Sequence, residues 1–285
     1  MRDSWVIITG ASRGLGAHLV KSFWSAGWNI ALVARNHQAL LNLSNELPKR
    51  PNQTAITFPC DLSHPKAVTS LTSQITQQLP SLNVLINNAA IHGPIGPLVE
   101  NSTSLWNEAI QVNLLAPVAL CHGLLPFMSS FGGGSIINLS GGGATGPRVN
   151  FTAYASAKAA LVRFSETLSQ EVRAQQIRVN CIAPGAMKTD LLEQVVTSGM
   201  TVSGKREFEI AQKVFAQGGA SMDKVADLAL FLASNASLDI TGKLISAVWD
   251  RWQEWPKHIE ELEASDAYTL RRITGRERGM DWGDI

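Results

Sequence analysis

The stretch TGASRGLG, residues 9–16, stands directly between the apolar run WVIIT and an amphipathic stretch, and this context limits the fold more than any other feature of the chain. Gly10 at the end of a strand lets the chain turn sharply into a helix, because glycine reaches backbone angles closed to other residues. Gly14 and Gly16 remove the Cβ atoms that would stand between the helix N-terminus, with its free amides, and an anion such as a pyrophosphate. A turn that is merely tight is the plainer alternative. No Gly-Lys-Ser/Thr follows, so this is not a P-loop.

The same alternation runs on. Short apolar runs rich in β-branched residues recur as NIALVA, AITFPC, LNVLINNAA, GSIINLS, IRVNCIAPG and GKLISAV, with helical stretches over 15–26, 40–46, 65–78, 104–128 and 154–174. Runs without polar alternation are buried on both faces, and strand–helix alternation implies right-handed crossovers into a parallel sheet. At 285 residues the chain predicts one α/β domain with a doubly wound parallel sheet, residues 1–248, followed by a C-terminal extension, 249–285. Residues 186–219 break the rhythm with polar helix formers between PG and GGAS, as a mobile flap over a cleft would.

The second strand ends at Ala34 and Arg35, with no carboxylate to bond the ribose hydroxyls of an adenosine. Arg35 and Arg13 instead place two guanidiniums where a 2′-phosphate would lie, which favours NADP(H) over NAD(H). Further on, Tyr154 and Lys158 in AYASAKAALVRF are four residues apart, just over one helical turn, and so share one face. A cation beside a phenol favours the phenolate and suits it to proton transfer with an alcohol or carbonyl.

Composition excludes other classes. The 24 Lys and Arg against 23 Asp and Glu, mixed along the chain, give no electrostatic case for nucleic acid or a membrane surface. Cys60, Cys121 and Cys181 are far apart, with no C-x-x-C and no metal-ligand spacing, and read as buried thiols in a reducing compartment. The first apolar strand starts within a few residues of Met1, and no apolar run is expected to span a bilayer, so a cytoplasmic protein is expected.

TGASRGLG, NNAA at 87–90, Asn113 in VNLLAP, YASAK at 154–158 and PGAMKT at 184–189 resemble the classical short-chain dehydrogenase/reductase family in order and separation, over about residues 4–248. The resemblance implies a Rossmann fold, a nicotinamide cofactor, and a carbonyl or secondary-alcohol substrate. It implies that Asp61 bonds the adenine ring, that Asn87 and Ala89 line the cofactor cleft, and that Thr189 bonds the nicotinamide carboxamide. Ser12, Leu15, Leu62, Pro184 and Gly185 complete the implied cofactor-binding set with Gly10, Arg13, Gly14, Gly16 and Arg35. Tyr154 is then the proton donor or acceptor, Lys158 holds the nicotinamide ribose and lowers the tyrosine pKa, and Asn113 supports a water-linked proton relay.

One position departs from the pattern. The family usually has a serine thirteen residues before the tyrosine, and here that residue is Gly141, with Ser140 one step earlier. A one-residue step along a strand reverses side-chain direction, but three successive glycines let the chain leave strand geometry at once. Ser140, Thr145, Thr152 or a backbone amide remain as candidates. His92, in IHGPIGP, lies in a loop expected beside the pocket, where a solitary histidine most simply faces solvent; Lys188, Lys205, Arg206 and Lys213 read as a solvated face or as a meeting place for an anionic substrate.

The expected activity is hydride transfer between NADP(H) and a carbonyl or secondary alcohol. A sugar or nucleotide-sugar oxidoreductase, and a dinucleotide-binding sensor or scaffold without turnover, are the rivals. Apolar stripes over 104–128 and 154–174 predict a homodimer or homotetramer. The tail holds Trp249, Trp252, Trp255 and Trp282, half of the 8 tryptophans, and the first three are expected along one face, packed beside the substrate cleft.

Overall fold

The computed structural model describes residues 4–280 and 282. In chain order it contains β1 (Trp5–Thr9), α1 (Gly14–Ser25), β2 (Asn29–Ala34), α2 (His37–Glu46), β3 (Ala55–Pro59), α3 (Pro65–Gln78), β4 (Val84–Asn87), α4 (Thr103–Ile110), α5 (Ala116–Ser130), β5 (Gly134–Leu139) and α6 (Thr152–Glu171). It continues with β6 (Ile177–Ala183), α7 (Asp190–Thr197), α8 (Gly199–Ser203), α9 (Lys205–Gln217), α10 (Met222–Ala233), β7 (Leu244–Ser246) and α11 (Ile259–Ala264). The strands form one seven-stranded parallel sheet in the order β3-β2-β1-β4-β5-β6-β7. The order reverses between β1 and β4, which opens a crevice at the carboxyl ends of those strands.

Both faces of the central strands are covered, so these strands have no solvent-facing side. Val6 and Ile8 of β1 pack into one layer with α1 and α10, while Trp5 and Ile7 pack into the other with α3 and α5. The second helix begins at His37, earlier than the periodicity predicts, because Asn36 caps it by accepting from the Ala39 amide. The helix predicted over 104–128 is α4 and α5 joined by a π-helical turn at Gln111–Leu115, the turn that carries Asn113.

This rod corrects one expectation. From Thr103 to Ser130 it is long and apolar enough to cross a membrane, with an 18-residue window of mean hydropathy 1.5. Its apolar character has another use here: Ala116, Leu120, Leu124 and Met128 are buried in the layer under the sheet.

The tail also differs from expectation. Trp252 and Trp255 enter the α1/α10 core layer, Trp252 stacking 5.0 Å from Phe231 and Trp255 4.3 Å from Tyr268. Trp249 is 84% exposed, so the three tryptophans do not share a face. The reason is local: the Trp249 amide donates to Ser246 Oγ and the Ser246 amide to Asp250 Oδ2, reversing the chain before the 3-10 turn at Trp252–Lys257. The tail then covers the outer edge of β7, where the Leu244 amide donates to the Tyr268 carbonyl at 2.8 Å. Leu270 of the tail packs with Ala144 and Val162, next to the glycines at 141–143.

Candidate active site

The first turn has the shape that its glycines imply, though not for each of the expected reasons. Gly10 and Gly14 have φ of +64° and +52°. A Cβ on Gly16 would lie 2.0 Å from the Gly10 carbonyl oxygen and 2.7 Å from Asn88 Nδ2, so Gly16 is required by the packing of helix on turn. Gly14 is the open position: its nearest neighbour would be the Thr189 methyl at 3.7 Å. The helix that follows has no side-chain cap and no acid in its first turn, leaving its amides available to an anion. These residues fit a dinucleotide pyrophosphate.

Around that turn the fold gathers most of the expected residues. Thr9 Oγ1 accepts from the Asn88 and Ala89 amides, and Asn88 Nδ2 donates to the Thr9 carbonyl at 2.9 Å, so β1 and β4 are stitched together at the crevice. Asn88 was not anticipated. The Asn87 side chain turns away, donating to Asn138 Oδ1 at 2.8 Å in the buried layer beneath α6. Asp61 accepts from the Ser63 amide; burial opposes its ionisation, but the Ser63 bonds and the charges of Arg35 and His64 outweigh it and hold the carboxyl below its ordinary range. Arg13 pairs with Asp190 at 2.8 Å, linking the first turn to α7, whose N-cap is Thr189. Gly185 has φ of +78°, and a Cβ there would meet Ala220 at 2.9 Å.

Tyr154 and Lys158 lie on the buried face of α6, 5% and 1% exposed. Lys158 Nζ donates to the Leu139 carbonyl at 2.6 Å, and burial draws its pKa down to about 8. Burial raises the Tyr154 phenol, and the charge that opposes this is Arg148, not the lysine expected from spacing. Lys158 Nζ stands 5.7 Å from the tyrosine ring centre, while its hydrogen bond goes to the end of β5.

The position that faces the tyrosine hydroxyl is Gly141. A Cβ there would lie 2.2 Å from Tyr154 Oη. Ser140 is buried, its amide bonded to the Ile182 carbonyl and its Oγ without a partner among the described residues. Thr145 is exposed, and Thr152 accepts from Trp106 Nε1 at 3.3 Å. Asn113 spends both ends of its amide on Ile91, accepting from its N–H and donating to its carbonyl, and so anchors the loop after β4.

That loop carries His92 inward, 3% exposed and edge-on to Phe151 and Tyr154, against the expectation of a solvent-facing residue. Arg148 lies over the Phe151 ring at 3.8 Å, and its Nε donates to Glu207 Oε2 of α9 at 2.7 Å. Segment 186–219 is thus three helices tied to the loop after β5 by a largely buried ion pair. Lys188, Lys205, Arg206 and Lys213 are exposed on it. Arg148 carried a signal in the sequence: it is the first charged residue after Glu108, in a loop otherwise made of small residues. A cleft of about 490 Å³ between the first turn and α7 is lined by Arg13, Gly93, Ile95, Asp190, Gln194 and Ser198.

A family profile described as short chain dehydrogenase matches residues 4–198. The chain is 31% identical to a 3-oxoacyl-[acyl-carrier-protein] reductase of Chlamydia muridarum over 240 residues, 84% of this chain and 94% of the relative. Among solved structures it resembles L-sorbose reductase from Gluconobacter frateurii complexed with NADPH and L-sorbose, at 28% identity and a TM-score of 0.76, covering 85% of this chain and 94% of that one. It also resembles 7 alpha-hydroxysteroid dehydrogenase complexed with NADH and 7-oxo glycochenodeoxycholic acid, at 27% identity and a TM-score of 0.75, covering 85% and 92%. The chain belongs to the short-chain dehydrogenase family and is an oxidoreductase with a dinucleotide-binding crevice.

Proposed function

We propose that this protein is an NADP(H)-dependent oxidoreductase acting on a ketone or secondary alcohol, with Tyr154 as general acid/base. The observation that carries this reading is the buried tyrosine hydroxyl beside the bare Gly141 at the carboxyl end of β5, with Lys158 one turn further along the same helix. A dinucleotide held by Gly10, Ser12, Gly14 and the α1 amides, with Thr189 and the Pro184–Gly185 turn at its nicotinamide end, supplies a hydride when bound. Tyr154 gives its proton to the carbonyl oxygen in reduction and takes one from the alcohol in oxidation. Lys158, nearly excluded from water, offers its ammonium to the ribose and to the phenolate that the transfer leaves behind. Asn113 supports a water-linked relay from a position fixed by Ile91, and Ser140, next to Gly141, holds a buried hydroxyl without a partner among the described residues.

Arg35 and Arg13 support the choice of NADP(H), Arg13 reaching it by leaving Asp190. An NADPH-complexed relative agrees with that choice, and an NADH-complexed one shows how finely the family divides on it. A sugar substrate is a second reading, favoured by the L-sorbose reductase likeness. We take residues 1–248 as the enzyme domain, 186–219 as its flap and 249–285 as its extension. A cytoplasmic homodimer or homotetramer completes the reading, supported by buried free thiols and by exposed Leu105 and Leu115 on the α4–α5 rod and Phe131 just past its end.

The test is NADPH oxidation with a panel of ketones, comparing wild type with Tyr154→Phe. The variant is expected to lose at least about three powers of ten in kcat while binding NADPH as before, because only the proton-transfer group is removed. Near-wild-type activity in Tyr154→Phe would overturn the mechanism.

A further inference from the structure

His92 is held from both sides. Asn113 clamps the backbone of Ile91 before it, and Gly93 after it has φ of +69° with a Cβ position 2.6 Å from the Ala109 methyl, so no other residue fits there. Its ring stands 5.0 Å, centre to centre, from the ring of Tyr154 and 5.3 Å from that of Phe151. Nε2 faces Arg148 Nη1 at 3.5 Å. A guanidinium only donates, so Nε2 is the acceptor, and a neutral imidazole that accepts at Nε2 carries its proton at Nδ1. Burial, with the charges of Arg148 and Lys158, keeps the ring neutral by drawing its pKa down to about 3.

Nδ1 is therefore a donor; among the described residues it has no hydrogen bond of good geometry, and Gln194 of α7, whose side chain favours the protonated ring, is the group that approaches it. An unmet buried donor costs about 1–3 kcal/mol, and such groups call for a specific reason where they occur. Here the reason lies alongside. The residue that faces Tyr154 Oη from the loop after β5 is a glycine with no room for a side chain while the tyrosine stands where it does. The loop after β4 brings a buried donor edge-on to the same ring.

We propose that His92 is a catalytic residue of the reaction: its Nδ1–H donates to the oxygen of the bound ketone, and to the alcohol oxygen in the reverse direction. Arg148 is the positioning residue that fixes the tautomer, itself held by Glu207 and Phe151. The His92 proton stays on Nδ1 throughout; the proton that moves is that of Tyr154, so the inference rests on the function proposed above.

The test uses the full-length enzyme with NADPH and whichever ketone of an aliphatic, aromatic and sugar panel the wild type reduces fastest. His92→Phe keeps a ring against Phe151 and Tyr154 but removes the donor. Its kcat should fall by about two to three powers of ten, as for one lost oxyanion donor, with NADPH affinity within about twofold of wild type. His92→Asn, which restores an N–H near Nδ1, should recover at least about tenfold of that loss. Independently of substrate, ¹⁵N spectra of the imidazoles should show one of the 6 histidines fixed as the Nδ1–H tautomer, and that signal should disappear in Arg148→Met. If His92→Phe does not fold, these spectra decide. A His92→Phe enzyme within about threefold of wild type, or a wild-type His92 protonated at Nε2, overturns the inference and leaves the proposed function standing. Full activity in Tyr154→Phe, or no ketone reduced, overturns the function beneath it.

Discussion

Two buried lysines of this molecule, one against the tail and one beside Tyr154, are satisfied very differently. Lys243, at the start of β7, sends Nζ to the carbonyls of Leu262, Ala267 and Ser265 at 2.7, 3.0 and 3.4 Å. Burial lowers its pKa, but Asp266, Glu166 and Glu263 pull the other way. Among the described residues Lys158 has one carbonyl, that of Leu139, and no carboxylate beside it, and burial carries it down to about 8 against the weaker pull of Cys181. The contrast separates a cation that fastens a tail to an edge strand from one that is kept short of partners. The same division runs through the surroundings: the tail ties down its polar groups, while the Tyr154 region holds unpartnered atoms on Ser140 and His92.

Replacing each lysine by methionine gives the sharpest test of that difference. Lys158→Met should lower kcat/KM by about three powers of ten and weaken cofactor binding, without lowering Tm, since it removes a buried charge with little to hold it. Lys243→Met should do the reverse: about 2–4 kcal/mol less stable by denaturant unfolding, because three carbonyls lose a charged donor, with kcat unchanged at temperatures where it is folded. A Lys243→Met enzyme that is folded but inactive would break the comparison.

The exposed cations extend it. Arg35→Ala with Arg13→Ala should weaken NADPH by about 1.5–3 kcal/mol per lost charged hydrogen bond and NADH far less, measured as dissociation constants. Equal losses for the two cofactors would mean that neither arginine reads a 2′-phosphate.

The smallest expected effect is on stability against pH. The folded protein releases the Lys158 proton at about pH 8, against an ordinary value of 10.5, so between those values the unfolded chain holds more protons and this group's contribution to stability rises with pH. Denaturant midpoints across that window should rise more steeply in wild type than in Lys158→Met. Parallel curves would show that Lys158 is no more short of partners than Lys243.

The sheet was legible because its signal is local. Continuous apolar runs such as NIALVA coincide with β2, and Pro65–Gln78 forms the helix that its periodicity predicts. The turn at Gly10 and the pair Tyr154 and Lys158 were legible for the same reason, each being set by spacing within one or two turns of chain. The tryptophan spacing misled because Ser246 and Asp250 reverse the chain between Trp249 and Trp252, a side-chain event that periodicity does not register. The apolar length of Thr103–Ser130 was also missed, since a polar Asn113 and two prolines interrupt a run that the structure nonetheless builds as one rod.

By itself the sequence determined the strand order's raw material, the phosphate-sized turn, the tyrosine and lysine on one helix face, and the family to which those motifs belong. Each follows from periodicity or backbone permissiveness over a few residues. Only the tertiary structure decided what surrounds the tyrosine. His92, Gly141, Arg148 and Glu207 come from three separate segments, and only the fold brings the loop after β4, the loop after β5 and α9 around one ring. The acidity of Tyr154 and the protonation of His92 depend on burial and on the distance to Arg148, quantities that arise only when those segments meet.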